Sequence, residues 1–404
     1  MSAPHSVLVL TYWSYNDALI QTYTLPYLKQ ISAQLPRGSK IFLLTLDKEP
    51  LQTNPDLSEW NTELISVAYE AFGIKGMFMW VRVLHRLVRL IRRENVKTIH
   101  AWCTPAGMIG TMLAQFTGRR LIIDSYEPHA EAMVENGSWK PNGIAFKILM
   151  YFERKQTLFA TYLICATEGM KTYAREKYGH RKHNLFVKPA CVDLELFSEL
   201  NRKNPKLLSE LGLEKKIVCV YAGKFGGIYL DREVFAFFAA CQQSWKNDFH
   251  VLLLTNHPRN ELESFAAVEG FDVKAMTTRF VTHREIPDYM GLGDFAITPV
   301  KPVPTKRYCT PIKNGEYWAL GLPVVTTPNI SDDSEIIVAK GAGCVIRTFD
   351  KPGYDQAVLA IREILKRDRT QIYADVRTLA EVYRDFAIAE KIYAAIYGPK
   401  SGIL

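Results

Sequence analysis

The strongest constraint on the fold is a rhythm in the sequence, in which short apolar runs alternate with segments of helical periodicity. Apolar runs in the first half include SVLVLTY, KIFLLTL, TIHAW and RLIIDSY, and those in the second half include KIVCVYAG, FHVLLLT, RFVT and PVVTT. Strands that are apolar on both faces are typical of parallel sheets covered by helices on each side. The sequence therefore predicts an α/β protein with a doubly wound parallel sheet in each half.

The length of the chain and one polar segment predict two domains. A chain of 404 residues exceeds what a single small core supports. The alternation of apolar runs and helical segments is interrupted by the polar segment DLELFSELNRKNPKLLSELGLEKK, which marks the boundary between the two domains. We expect Rossmann-like domains over residues 1–195 and 196–380, and a helix within 381–404 that packs back on the first domain. Two such domains facing across a cleft bind ligands beyond the carboxyl ends of their strands.

Charge and composition leave several kinds of partner open. The formal net charge of +8 suits nucleic acid, an anionic membrane surface or a negatively charged small substrate. The N-terminus lacks the pattern of a signal peptide, and no apolar window is long enough to span a bilayer. The seven cysteines are scattered without a CxxC pair, which predicts reduced thiols and no zinc site. We expect a soluble, cytoplasmic protein.

The segment CTPIKNGEYWALGLPVVTT predicts a helix followed by a buried strand. Thr310 is expected to cap the helix, with Pro311 as its first residue. Lys313 in the first turn opposes the positive end of the helix dipole, which suggests an anion in front of it. Glu316 lies three residues further along and shares a helix face with Lys313. The alternative is an ordinary solvated Lys–Glu pair.

A glycine-rich turn, AGKFGG, follows the first predicted strand of the second half. Glycine lets the backbone approach phosphate oxygens closely, and Lys224 adds a positive charge. The segment therefore indicates a phosphate-binding loop, although a simple tight turn has the same composition. Its glycine candidates are Gly223, Gly226 and Gly227.

A third candidate segment, DSYEPHAEAM, runs from the end of a strand into a predicted helix of the first half. Asp124, Glu127 and His129 are expected to project from it into the cleft between the two domains. Helix capping by the two acids beside a surface histidine is the alternative.

Several motifs in the order found here resemble those of the retaining GT-B glycosyltransferases of family four, also described as glycosyl transferases group 1. The resemblance is carried by LICATEGMKTYAREKYG, NLFVKPACVDLELF, VYAGKFGG, PIKNGEYWALGLPVVTT and SDDSEIIVAKGAGCVI. It implies a hexosyl-transferring enzyme that moves a sugar with retention from a UDP- or GDP-linked donor, without a further cofactor. The implied acceptor is a glycan or a lipid-linked molecule in bacterial surface polysaccharide or glycoconjugate biosynthesis, and nucleic acid is not an expected partner.

The resemblance also implies roles for the candidate residues. Lys313, Thr310 and the glycine loop would bind the donor diphosphate, and Glu316 would accept hydrogen bonds from the ribose. His129, with Glu127 and Asp124, would form the catalytic group. Where the family's fuller pattern has a first glutamate, this chain has Tyr308, which leaves the donor-sugar contacts of that loop open. No Asp-x-Asp pair occurs, so we expect no metal site and a metal-independent reaction.

The segment MWVRVLHRLVRLIRR predicts an amphipathic helix with one apolar half and one basic half. Trp80, Val81 and Leu87 are among the residues of the apolar half. The basic half suits an anionic membrane surface, because each basic residue near such a surface contributes about 1 kcal/mol. The alternative is an ordinary domain helix that packs on the sheet and exposes its arginines to solvent. The residues predicted to face the inner side of a membrane are Arg82, Arg86, Arg89 and Arg93.

Two further functions remain open at this point. A sugar-nucleotide epimerase could share the fold, although it would need acid and base groups around the donor sugar. A non-catalytic, transferase-like binding subunit is suggested only by Tyr308.

Overall fold

The computed structural model describes residues 4–51, 53, 55–70 and 74–398. The chain divides into two compact units, the first comprising residues 1–188 with 387–404 and the second residues 189–386. Among the described residues, none of the helices has both the length and the apolar composition needed to cross a bilayer. All seven cysteines are free thiols, and six of them are buried.

The described part of the first unit is built on a seven-stranded parallel sheet. Its order is β3-β2-β1-β4-β5-β6-β7, so the chain starts in the middle and works outward in both directions. All residues of β1 and β2 are buried, as expected for strands covered on both faces. The strands are β1 (Ser6–Leu10), β2 (Ile41–Asp47), β3 (Thr62–Ala68), β4 (Val96–Trp102), β5 (Arg120–Tyr126), β6 (Tyr162–Cys165) and β7 (Leu185–Val187).

Helices connect these strands and cover the sheet. They are α1 (Leu25–Gln34), α2 (Ile74–Arg93), α3 (Cys103–Thr117), α4 (His129–Glu135), α5 (Ile144–Phe159) and α6 (Glu168–Tyr178). Parallel crossover connections are right-handed, so connections that run in the same direction across the sheet lie on the same face. The connections through α2, α3, α5 and α6 all run toward β7, which places these four helices together on one face.

The described part of the second unit has a six-stranded parallel sheet of order β10-β9-β8-β11-β12-β13. The expectation of a parallel α/β architecture in both halves is thus confirmed. One strand lies earlier than predicted: RFVT is not the strand, because pairing with β9 ends at Arg279 and Phe280 is exposed. The strands are β8 (Ile217–Ala222), β9 (Phe249–Leu254), β10 (Met276–Arg279), β11 (Phe295–Thr298), β12 (Val324–Thr326) and β13 (Gly343–Val345).

Two apolar clusters fill the two faces of this second sheet. One contains the phenylalanines of α8 and residues of α13, and the other contains Tyr317, Trp318 and the inner face of α14. The helices are α7 (Pro205–Leu211), α8 (Arg232–Trp245), α9 (Arg259–Glu269), α10 (Ile286–Met290), α11 (Ile312–Ala319), α12 (Asp333–Ala339), α13 (Lys351–Leu365) and α14 (Arg369–Tyr383).

The last helix, α15 (Phe386–Tyr397), returns the chain to the first unit. Its buried residues include Ala389, Ile392 and Ile396, and the Arg120 guanidinium donates a hydrogen bond to the Ile396 carbonyl at 3.2 Å. Two tyrosines of this helix, Tyr393 and Tyr397, are also buried. The helix therefore brings phenol groups into the interior of the first unit.

The inward face of α5 is unusually polar. Glu153, Gln156 and Thr157 are fully buried there. The Tyr173 and Tyr178 hydroxyls donate hydrogen bonds to Glu153 Oε1 at 2.8 and 2.9 Å. Burial raises the pKa of the Glu153 carboxyl to about 7, although these two hydrogen bonds act in the opposite direction.

We expect Glu153→Gln to change how stability depends on pH. The folded state binds the Glu153 proton more tightly than the unfolded chain, whose ordinary pKa is 4.5. Its contribution to stability is therefore fully present below pH 4.5 and is lost as the pH rises through about 7. At about pH 8 the glutamine variant should be more stable by roughly 2–3 kcal/mol, measured by urea denaturation. Parallel pH profiles for the two proteins would contradict this.

Candidate functional site

The N-terminal part of the candidate donor helix α11 lies at the carboxyl end of β11, where Asn314 contacts Thr298. It begins at Ile312, with Pro311 in the N-cap position. The expected cap at Thr310 is therefore wrong by one residue. The reason is the backbone of Pro311, whose ψ of 120° is extended, so that the first helical turn starts only after it.

Lys313 and Glu316 form an ion pair on this helix, with the Lys313 Nζ atom 2.8 Å from Glu316 Oε2. The two side chains differ in exposure: the lysine is 36% exposed and the glutamate 5%. An ordinary surface pair in the same unit, Lys351–Asp355, is 73% and 46% exposed. The pair on α11 thus combines a buried carboxylate with an accessible ammonium group, which differs from a solvated surface pair.

A buried polar network holds α11 in place. The Thr298 hydroxyl, at the end of β11, donates to Asn314 Oδ1 at 2.5 Å. The Asn314 amide donates in turn to Asp333 Oδ2 at 2.7 Å, and Asp333 pairs with the buried guanidinium of Arg384. Acidic residues near Asp333 suit a helix N-terminus by sequence, but the structure gives Asp333 the role of a buried acceptor. Sequence analysis did not single out Asn314 or Arg384.

The glycine loop after β8 is connected to the same helix. The Ala222 amide donates a hydrogen bond to the Tyr317 hydroxyl oxygen of α11 at 2.9 Å. Gly223 is required sterically, because a Cβ atom there would lie 2.6 Å from the Tyr221 hydroxyl. Gly226 and Gly227 have φ values of +75° and +63°, which only glycine adopts without strain.

Further groups of the second unit lie in the segments that follow β8 and β12. Lys224 is exposed within the loop. After β12, Asn329 and Ser331 adopt positive φ values of 57° and 52°, a strained conformation that is enriched at functional sites. The Ser331 amide donates to the Lys306 carbonyl at 2.9 Å. Among the described residues, no group of three or more His, Cys, Asp or Glu side chains is arranged to hold a metal ion.

In the first unit, the structure brings Glu127 and His129 together. His129 Nδ1 lies 2.8 Å from Glu127 Oε1, and both side chains are partly exposed. The Thr104 hydroxyl, at the start of α3, donates to the Glu127 carbonyl at 2.7 Å. His129 is the first residue of α4. A histidine oriented by a carboxylate in this way is typical of groups that position or exchange a proton.

Asp124 does not lie with them, contrary to the expectation that it projects outward. Its side chain is fully buried, 3.2 Å from the buried Lys188 ammonium. Tyr393 donates to the same carboxylate at 2.7 Å, and His100 Nε2 lies 3.2 Å from it. The Lys188 ammonium also lies 3.5 Å from the centroid of the Tyr27 ring. The signal in the sequence was only a lysine after an apolar run, which does not reveal a buried cation.

The protonation state of this cluster follows from its geometry. Burial alone would raise the pKa of Asp124, but Lys188 and the His100 and Tyr393 hydrogen bonds lower it to about 2. Burial lowers the pKa of His100, despite the neighbouring carboxylate. Because a carboxylate only accepts, neutral His100 carries its proton on Nε2, and Nδ1 accepts from Tyr397 at 2.7 Å.

The Asp124 cluster supports the segment that carries Glu127 and His129. Asp124 Oδ1 accepts a hydrogen bond from the Ser125 amide at 2.6 Å. Ser125 has a φ of 51°, and its hydroxyl lies 3.0 Å from the Tyr23 hydroxyl. Asp124 therefore acts on the candidate site through the backbone that follows it, not as an exposed group.

The basic helix α2 exposes all of its predicted membrane-facing arginines. Leu87 and Ile91 are buried beneath it, as the periodicity predicts. Val81, expected on the apolar half, is instead 60% exposed. The exposed arginines are Arg82, Arg86, Arg89 and Arg93.

We expect Lys188→Met to lower the free energy of unfolding by about 3–5 kcal/mol, because it leaves the Asp124 carboxylate buried without its partner. The double variant Lys188→Met with Asp124→Asn should recover much of that loss. Urea denaturation near neutral pH measures both, with exposed Lys366→Met as the control. A loss below about 1 kcal/mol for Lys188→Met would show that the pair is not a structural requirement.

Comparisons with known proteins agree with the fold. Residues 216–365 match the family described as "Glycosyl transferases group 1". None of the curated proteins matches the sequence. A glycosyltransferase from Rickettsia africae has a similar structure, at 14% identity, 98% coverage of both chains and a TM-score of 0.72. The Anabaena protein HepE, solved in complex with UDP, is 15% identical over 97% of this chain and 99% of its own, with a TM-score of 0.68.

A third likeness is to an enzyme of another class. A putative UDP-N-acetylglucosamine 2-epimerase from Listeria monocytogenes is 12% identical over 98% of this chain and 96% of its own, with a TM-score of 0.62. At such identities the likenesses show a shared fold. The protein therefore has the two-unit α/β fold of the GT-B glycosyltransferases, and its second unit carries the group 1 match.

Proposed function

We propose that the protein is a retaining glycosyltransferase that moves a sugar from a UDP- or GDP-linked donor to a glycan or lipid-linked acceptor. The second unit binds the donor and the first unit binds the acceptor. The reaction belongs to bacterial surface polysaccharide or glycoconjugate biosynthesis and takes place in the cytoplasm. The observation that carries the proposal is the Lys313–Glu316 pair on α11, within the segment that matches group 1 glycosyl transferases.

The donor site follows from the chemistry of these groups. The first-turn N–H groups of α11 and the accessible Lys313 ammonium attract a diphosphate. The Glu316 carboxylate, nearly buried beside Lys313, accepts hydrogen bonds from the ribose hydroxyls. Lys224 and the backbone of the glycine loop add further donors for phosphate oxygens. Support from HepE is limited to its complex with UDP, on the same fold.

The reaction needs stabilisation of negative charge on the leaving nucleoside diphosphate. Lys313, Lys224 and the helix N–H groups supply it electrostatically, without a metal and without a covalent nucleophile. His129, oriented by Glu127, contacts the reacting sugar or positions the acceptor hydroxyl. Asp124 supports this pair indirectly, through Ser125.

The acceptor side of the proposal includes a membrane. The arginine face of α2 attracts anionic headgroups and keeps the protein at the inner face of the membrane, where a lipid-linked acceptor is found. The protein is then peripheral, held by charge and not by a spanning helix.

The alternative enzyme is a sugar-nucleotide epimerase, because the putative epimerase from Listeria monocytogenes shares the fold. Incubation with a panel of UDP- and GDP-sugars, with analysis of both free nucleotide and sugar, separates the possibilities. The proposed transferase releases nucleoside diphosphate in proportion to glycosylated acceptor, and its turnover survives EDTA. Conversion of one intact nucleotide sugar into another would establish the epimerase. Loss of turnover in EDTA, restored by magnesium, would contradict metal independence.

We expect Lys313→Ala to weaken binding of nucleoside diphosphate by about tenfold or more, because one charge-assisted contact is lost. Isothermal titration calorimetry measures the affinity. Lys351→Ala is the matched control, since Lys351 also pairs with a carboxylate on a helix of the same unit. Equal affinities of the Lys313 variant and the wild type would remove Lys313 from the donor site.

Replacement of the four arginines of α2, Arg82, Arg86, Arg89 and Arg93, by glutamine should abolish binding to vesicles that contain anionic lipid. Binding by the wild type should weaken as salt rises, because the Debye length is only about 8 Å at physiological ionic strength. Stability should be nearly unchanged, since Leu87 and Ile91 are untouched. A control with the same change in charge replaces Arg259, Arg284, Arg347 and Arg367. Equal sedimentation of the α2 variant and the wild type with vesicles would show that α2 is an ordinary helix with solvated arginines.

A further inference from the structure

Helix α5 exposes apolar side chains to solvent although part of its buried face is polar. Its buried residues are Leu149, Glu153, Gln156 and Thr157. Its outward face contains Ile144, which is 74% exposed, and Tyr151, which is 57% exposed. A helix that lies on a sheet in water normally turns its apolar stripe inward. The arrangement indicates that another apolar medium covers the outward face.

The outward apolar residues form a continuous stripe along the helix. Ile144, Ile148, Tyr151 and Leu158 recur at spacings of three, four and seven, which places them on one side. Phe159 is also exposed at the end of the helix. Next to α5, Lys155 donates a hydrogen bond to Gln115 of α3 at 3.3 Å, and the following residue, Phe116, is 72% exposed. We call Phe116, Ile144, Ile148, Tyr151, Leu158 and Phe159 the α5 patch.

The charges beside the α5 patch are all positive on this helix. Lys147 and Arg154 are exposed along one flank of the stripe. Lys155 lies over the Tyr151 ring, with its Nζ atom 5.4 Å from the ring centroid. The one acidic residue of α5, Glu153, is buried on the opposite face. An apolar stripe bordered by cations is typical of helices that lie in the headgroup region of a bilayer.

The α5 patch lies on the same face of the sheet as the arginines of α2. The connections through α2, α3 and α5 run in one direction across the sheet, and α3 packs against both α2 and α5. One side of the first unit therefore presents a basic helix and an apolar helix, on either side of α3.

We propose that the α5 patch inserts below the headgroups of an anionic membrane, while α2 binds the headgroups themselves. This inference deepens the proposed function, because it assigns the surface through which the first unit reaches a lipid-linked acceptor. A second copy of the chain is the poorer occupant: a two-fold contact between α5 patches would bring Lys147, Arg154 and Lys155 of one copy near the same cations of the other. In a bilayer with anionic lipids, the acyl chains cover the apolar stripe and the headgroups attract these cations.

The direct test places an environment-sensitive fluorophore at the patch. Tyr151→Cys is labelled with a nitrobenzoxadiazole dye in a Cys309→Ser background, since the other native cysteines are buried. Leu359→Cys on α13 is the matched control, because Leu359 has the same exposure of 57%. Vesicles of phosphatidylcholine with phosphatidylglycerol should shift the emission at position 151 to shorter wavelength, and lipids with quenchers on their acyl chains should quench it. The probe at position 359 should not respond.

Two outcomes of this experiment would overturn the inference. One is an unchanged probe at position 151, whether or not the protein sediments with the vesicles. The other is a blue shift that appears with rising protein concentration in the absence of vesicles, which would identify a second copy as the occupant.

A pair of variants separates insertion from charge attraction. Ile144→Ser with Ile148→Ser should lower the vesicle partition coefficient about tenfold or more, including at high salt, because apolar burial is insensitive to screening. An unchanged melting temperature would show that this variant folds normally, and unchanged partitioning would overturn the inference. Nucleotide release without vesicles tests the transferase separately: probe insertion without turnover would refute the proposed function and leave the membrane surface standing.

Discussion

The orientation of helix α11 depends on one buried side chain, Asn314. Its amide accepts from Thr298 at the end of β11 and donates to Asp333, so it joins a strand end to the start of α12. Lys313 precedes Asn314 in the chain and Glu316 follows it by two residues. With Asn314 fixed inward, Lys313 turns toward solvent while Glu316 stays nearly buried. The placement of Lys313 and Glu316 therefore depends on a buried polar network that joins β11, α11 and α12.

In the first unit, a buried ion pair holds the candidate site residues in place, as the buried Asn314 network does in the second unit. Lys188 and Asp124 are both buried, and the pair is surrounded by hydrogen-bonding and aromatic groups from distant parts of the chain. A buried ion pair is costly to form and more costly to break at one end, so it specifies the local arrangement more than it adds stability. Asp124 also accepts a hydrogen bond from the amide of Ser125, whose backbone is left-handed. The Lys188–Asp124 pair therefore helps to fix the backbone that leads to Glu127 and His129.

Local patterns predicted much of the fold and part of the site. Apolar runs located the strands of both sheets except β10, since burial on both faces leaves a signal within each run. The edge strand β10 has the sequence MTTR and lacks that signal. The spacing of Lys313 and Glu316 predicted their contact, which is a property of one helix. Asp333 and Arg384 are 51 residues apart, and Asp124 and Tyr393 are 269 residues apart. Such partners come together only through the tertiary fold, so Asp124 was wrongly expected to face outward.

Hydrogen–deuterium exchange with and without a saturating nucleoside diphosphate tests whether a nucleotide sugar binds to the second unit at the glycine loop and α11. We expect slower exchange of backbone amides in residues 222–230 and 310–318, with little change in α13 and α14. Protection confined to other segments of the second unit would contradict this binding site, as would no protection at a concentration where calorimetry shows saturation.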